Sequence, residues 1–141
     1  MSKRRLPDFG DRETRLRTAR ERFGCALLRC ALCPEAHPLR LEQHHPAQRM
    51  FDQETIPLCA SHHRDASDWQ RDHPNKIEGC TSNLEPMGHW LYGLGDLLRI
   101  ASEEDGAVIL REFLGATATR LHDIGHALIE VARSTVGKDQ P

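Results

Sequence analysis

Two short pairs carry the clearest chemistry in this chain: Cys30-Ala-Leu-Cys33 and Cys59-Ala-Ser-His62, separated by 25 residues. Each spacing lets two side chains reach one ion from a tight turn. Three thiolates and one imidazole suit a closed tetrahedral zinc site. Between the pairs lies LEQHHPAQR, residues 41–49, whose adjacent His44 and His45 are followed at once by Pro46. His63 directly follows the expected ligand His62. If His62 completes the zinc set, then His44, His45 and His63 are left over; the alternative is that His44 or His45 takes the place of His62. Successive side chains of an extended segment point to opposite sides, so His44 and His45 are suited to different tasks rather than to equivalent ligation of one ion.

The remaining cysteine chemistry points the same way. Five cysteines at positions 25, 30, 33, 59 and 80 form an odd, unevenly spaced set in a chain without a secretory-type leader. Such a set argues against a disulfide framework. The Cys30–Cys33 pair runs into Pro34-Glu-Ala-His-Pro38, a loop, whereas a redox motif would open a helix. Metal is the better reading, and Cys25 and Cys80 read as partly buried thiols.

The elements that must position these groups are short. DFGDRETRLRTARERF, residues 8–23, is rich in helix formers and Gly24 is placed to end it. LRLEQH (39–44) and ETIPLC (54–59) are the candidate strands, followed by a short helix at ASHHRDASDWQRD (60–72). Residues 75–83 form a linker. Leu84, Met87, Leu91, Leu94 and Leu98 then make one helical stripe. Leu110, Leu114, Thr117, Leu121, Ile124, Leu128 and Val131 make a second. Joined across SEEDG, the two predict an antiparallel helical hairpin. Their stripes are expected to be buried against each other, against the metal-binding domain, or in another chain as a homodimer through the C-terminal helices. Trp69 and Trp90 are expected to anchor neighbouring elements. His37 and His73 read as loop residues, and His89, His122 and His126 as scattered helix residues, the last two on an exposed face. The expected organisation is a basic N-terminal helix (1–24), a zinc-binding domain (25–74), a linker (75–83), the helical hairpin (84–135) and a disordered tail (136–141).

A modest apolar content of 38%, with 5% aromatic residues, leaves the Cys/His segment little core, so a metal staple is expected there. No apolar run reaches the roughly 18 residues of a membrane span, and a cytoplasmic location without membrane contact is expected. The net charge of −2 hides an asymmetry: residues 1–50 carry eleven Lys or Arg against six Asp or Glu, and residues 74–141 six against ten. A basic front half is compatible with a polyanionic partner.

CALC (30–33), LEQHHPAQR (41–49) and TIPLCASHHRDAS (55–67), taken in this order, resemble the HNH endonucleases with a zinc-stabilised ββα-metal core. The resemblance spans about residues 25–73. It implies an α+β fold and metal-dependent hydrolysis of DNA phosphodiester bonds. It further implies His44 and His63 as ligands of a catalytic divalent ion (Mg2+, Mn2+, Ni2+ or Zn2+) and His45 as general base. Cys30, Cys33, Cys59 and His62 match its structural zinc ligands. Where the family motif carries Asn, this chain has Glu54, which could accept a hydrogen bond from the base histidine and fix its tautomer. The chemistry needs an activated water and a cation for the charge on the leaving oxygen. Arg49, with Arg15, Arg20 and Arg22 of the first helix, are candidate phosphate contacts. The competing expectation is a zinc-stabilised, non-catalytic nucleic-acid-binding or adaptor module.

Overall fold

The computed structural model describes residues 10–24, 28–104 and 107–136. The basic segment 1–9, Cys25 and most of the expected tail (137–141) lie outside the described residues. Within them the fold is mixed α+β: a two-stranded antiparallel sheet, four helices and a C-terminal helical hairpin. No helix among the described residues is long and apolar enough to cross a membrane.

Helix α1, Arg12–Phe23, starts where Asp11 accepts the Thr14 N–H at 2.8 Å and stops at Gly24. Gly24 has φ 62°, a left-handed conformation that a Cβ disfavours. A 3-10 turn over Pro38–Arg40 replaces the expected first two residues of strand β1, which is Leu41–His44. The reason is local: Pro38 sits at the first turn position, and the His37 side chain accepts the Leu39 N–H at 3.3 Å. Strand β2, Ile56–Cys59, pairs with β1 so that Leu41 faces Cys59 and His44 faces Ile56. Helix α2, Ala60–Trp69, continues into a 3-10 turn over Gln70–Asp72. The sheet and α2 close on one small core, Cys30, Leu41, Leu58, Ala66, Leu97 and Ile100, the last two supplied by the hairpin.

Helices α3 (Leu84–Glu104) and α4 (Val108–Thr135) form the hairpin, but not along the leucine stripes. Met87 is 53% exposed and Ile124 52%. The buried line of α4 is Ala118, Gly125, Ile129 and Ala132; that of α3 includes Glu85, Gly88, His89, Gly93 and Asp96. Small residues explain the rotation. A Cβ on Gly88 would stand 2.7 Å from the Gly125 carbonyl oxygen, so the two backbones touch directly. Polar groups fill the rest of this seam. The buried Asp96 carboxylate accepts from His73 Nε2 at 2.6 Å and from His122 Nε2 at 3.0 Å. His122 therefore faces α3 rather than solvent, and His73, outside helix and strand as expected, is buried; only His126 of the His122–His126 pair is exposed. Buried carboxylates persist where N–H donors satisfy them, and two imidazoles do so here.

The hairpin also backs the segment that links the strands, residues 45–55. The Trp90 indole N–H donates to Asp52 Oδ2, and Phe51 stacks on His89 with ring centroids 3.9 Å apart. Trp90 thus anchors α3 to the Cys/His region, as expected, while Arg99 of α3 lies over the Trp69 ring at 4.6 Å.

Candidate functional site

The first cluster sits where the Cys30–Cys33 turn meets the end of β2. The ligand atoms of Cys30, Cys33, Cys59 and His62 all lie within 4.8 Å of one another. His62 Nδ1 is 3.3 Å from Cys30 Sγ and 3.2 Å from Cys59 Sγ, and the Cys33 and Cys59 sulfurs are 3.9 Å apart. Tetrahedral ligands at about 2.1 to 2.3 Å from zinc would be about 3.6 to 3.8 Å apart, so the spread fits. This Cys3His set could hold a structural metal such as zinc. His62, rather than His44 or His45, is its histidine.

Electrostatics agree with a cation at that point. Burial raises the Cys30 thiol, but N–H groups of Cys59 and Leu32 and the His62 ring outweigh it and bring it down to about 7. Burial pushes Cys33 up to about 11, helped by the neighbouring Cys30 and Cys59 sulfurs. Cys30 and Cys33 are thus driven in opposite directions, and thiolates this close together are stabilised when a positive charge joins them. Burial alone would lower His62, yet the Glu104 carboxylate and Cys30 sulfur outweigh it and raise it. Glu104 at the end of α3 holds His62 Nε2 at 2.6 Å, the outer partner that a metal-bound imidazole usually has. Sequence order alone could not reveal this pairing, which spans 42 residues.

The second cluster gathers at the His44 end of β1. His44, His45, His63 and Arg49 line one open cavity of about 320 Å³, together with Gln70 and Arg71. Residues 42 and 44 share a face of β1, and His63 on the first turn of α2 meets both. His63 Nδ1 is 3.0 Å from Glu42 Oε2; the His44 and His63 rings stand nearly perpendicular, at 86°, with centroids 5.4 Å apart. His44 is 2% exposed and is lowered to about 4, by burial first and then by the neighbouring His63, so it is a neutral ring near pH 7. His45 is half-buried, and its Nδ1 is enclosed without a partner. The Gln70 amide nitrogen lies 2.7 Å from the His45 carbonyl, 3.1 Å from that of Pro46 and 3.3 Å from His44 Nε2. Gly93 of α3 packs against this turn so closely that a Cβ there would be 2.0 Å from the Pro46 carbonyl oxygen.

Four anticipated residues stand elsewhere. Glu54 is exposed and lies outside the residues lining the cavity; the bond at its end of the loop is its backbone N–H to Asp52 Oδ1 at 2.9 Å. Asp52 is the carboxylate that feels His45: the Trp90 donor first, and the His45 ring among lesser causes, hold it below the usual range. Arg15 and Arg22 line a separate cavity with Leu39, and Arg22 also reaches the Leu41 carbonyl at 3.4 Å. Arg20 is exposed on α1. Gln70 and Arg71 were missed, although helical periodicity carried the signal for Gln70. Positions 63, 67 and 70 fall on one face of a helix, and His63, Ser67 and Gln70 all line the cavity.

Comparison of the chain with protein-family models, with curated proteins and with solved structures yields no match in any of the three. What the chain does must be argued from the two clusters themselves.

Proposed function

We propose that this chain is a metal-dependent endonuclease with an HNH-type ββα-metal core, hydrolysing DNA phosphodiester bonds in the His44–His45–His63 cavity. The observation that carries the proposal is the pairing of His44 with His63. Two imidazoles bound to one ion at about 2.1 Å with a tetrahedral angle have ring centroids about 5.3 Å apart; the separation here is 5.4 Å. The third histidine and two arginines, Arg49 and Arg71, line the same open cavity.

The residues fit the implied groups. Cys30, Cys33, Cys59 and His62 would hold a structural zinc, and His44 and His63 a catalytic divalent ion. That ion supplies charge for the leaving oxygen when bound. The chain's own residues do the rest. His45 accepts a proton from water, a step worth roughly 10²- to 10⁴-fold. Its enclosed Nδ1 leaves this work to Nε2. Arg49 and Arg71 seat phosphate oxygens. The base does not depend on Glu54, which stands outside the cavity. The Gln70 amide fixes the backbone on which His45 rides by binding the carbonyls of residues 45 and 46.

The test is plasmid cleavage with added divalent metal by the intact chain and by His45→Ala. The variant should keep its zinc and its thermal transition and lose cutting. A wild-type chain that binds DNA without cutting in any divalent metal would instead identify the non-catalytic module.

A further inference from the structure

The two proposed ligand histidines are each held by a residue to which the motif resemblance gave no role, and the two act from opposite chemical directions. We infer that Gln70 and Glu42 are positioning residues that fix both His44 and His63 as Nδ1–H tautomers, leaving each Nε2 lone pair for the ion. This rests on the reading of His44 and His63 as ligands.

Consider Gln70 first. Its amide nitrogen carries two hydrogens and no lone pair to offer, because the pair is delocalised into the carbonyl. Three polar atoms surround it: the carbonyl oxygens of His45 at 2.7 Å and Pro46 at 3.1 Å, and His44 Nε2 at 3.3 Å. The two carbonyls can only accept, so the nitrogen end of the amide must face them. A hydrogen on His44 Nε2 would then point at N–H groups. A neutral His44 ring facing these donors therefore carries its single proton on Nδ1. The distances also rank the partners. The His44 lone pair has the longest of the three contacts, so an ion can claim it while both amide hydrogens keep carbonyl acceptors.

Glu42 reaches the same end by accepting. A carboxylate has no hydrogen to give, and its Oε2 lies 3.0 Å from His63 Nδ1. The proton of a neutral His63 is therefore on Nδ1. The strand pleat explains why the two devices serve one site: Glu42 and His44 share a face of β1, and α2 with the 3-10 turn that follows it brings His63 and Gln70 to it. Partners of this kind are commonly worth 10- to 100-fold in metal affinity.

The direct test reads the proton positions. Long-range 1H–15N spectra of histidine-labelled chain, zinc-loaded and free of any second ion, should show Nδ1–H tautomers for both His44 and His63. An Nε2–H tautomer at either ring in the wild-type chain overturns the inference, and the spectra of that one chain suffice. Gln70→Glu replaces the donor with an acceptor; it should move the His44 proton to Nε2 and weaken Mn2+ binding to the zinc-loaded chain at least 10-fold. Glu42→Gln keeps an oxygen that can accept from His63 Nδ1 and should retain near wild-type Mn2+ affinity, whereas Glu42→Ala should lose about 10-fold. Equal losses in Glu42→Gln and Glu42→Ala would show that charge alone matters and would overturn the tautomer role. The spectra settle the positioning whether or not the chain cuts DNA, so this inference and the nuclease reading can fail separately.

Discussion

Gly93→Ala places one methyl group between the hairpin and the histidine turn, and its effect can be worked from the geometry. The added Cβ would lie 2.0 Å from the Pro46 carbonyl oxygen, 2.5 Å from its carbon and 2.8 Å from Cα. Ordinary contact begins near 3.4 Å, so one side must retreat by about 1.4 Å. All three neighbours are backbone atoms, and no side chain can rotate out of the way. Overpacking of this kind costs about 1 to 3 kcal/mol, and alanine recovers about 1 kcal/mol of helix propensity. A net loss near 2 kcal/mol, from the upper end of that range, should lower Tm by about 4 to 8 °C. The retreat moves the very residues that the Gln70 amide holds. A displacement of about 1 Å in a catalytic group can cost on the order of 10²-fold in rate. We therefore expect plasmid cleavage to fall about 100-fold while zinc content is unchanged. Gly115→Ala is the matched control: it is also within a helix, but nothing lies within 4 Å of its Cβ position. It should leave cleavage intact and raise stability by up to about 1 kcal/mol. If Gly93→Ala matches wild type in both Tm and cleavage, the hairpin does not hold the histidine turn.

Two further predictions concern the parts that hold the site. His89 is 0% exposed with neither ring nitrogen partnered, and burial, reinforced by His73 and opposed by Glu85, lowers it to about 4. The unfolded chain takes up this proton near pH 6.5 and the folded one only near 4, so stability should fall as pH drops through that window, by on the order of 3 kcal/mol. His89→Phe should flatten that part of the pH–stability curve relative to wild type; parallel denaturation curves for the two chains would refute it. Cys33→Ser removes one candidate ligand from the Cys3His cluster, where binding of a metal would be coupled to folding. Metal analysis should find zinc lost, and the cooperative thermal transition should go with it; an unchanged transition would show that the cluster is not a staple.

The sequence was most legible where spacing is local. The Cys30–Cys33 and Cys59–His62 pairs lie in one tight turn each, and Gly24 ends its helix because a left-handed residue is needed there. Strand and helix order were readable for the same reason. What could not be read depends on contacts across long stretches of chain. The leucine stripes of the hairpin misplace its seam, because Gly88 and Gly125 allow backbone contact and His73, Asp96 and His122 fill the remainder with polar bonds. Glu104 reaches His62 across 42 residues, and no local pattern marks that pair. Arginines on α1 read as phosphate contacts by charge alone, yet Arg15 and Arg22 line a different cavity. Charge gives no position along the fold, and the strand pleat does not reach His45, which follows β1 and lines the same cavity as His44.

The proposed function needs two metal sites with different duties, one shaping the chain and one acting on phosphate. The most direct measurement is a Mn2+ titration of the zinc-loaded chain, followed by plasmid cleavage at each point, for wild type and for His44→Ala. Wild type should take up one further ion, with cutting rising in step, and His44→Ala should keep its zinc while losing both. A wild-type chain that binds no ion beyond its zinc, or a His44→Ala chain that cuts as wild type does, would contradict it.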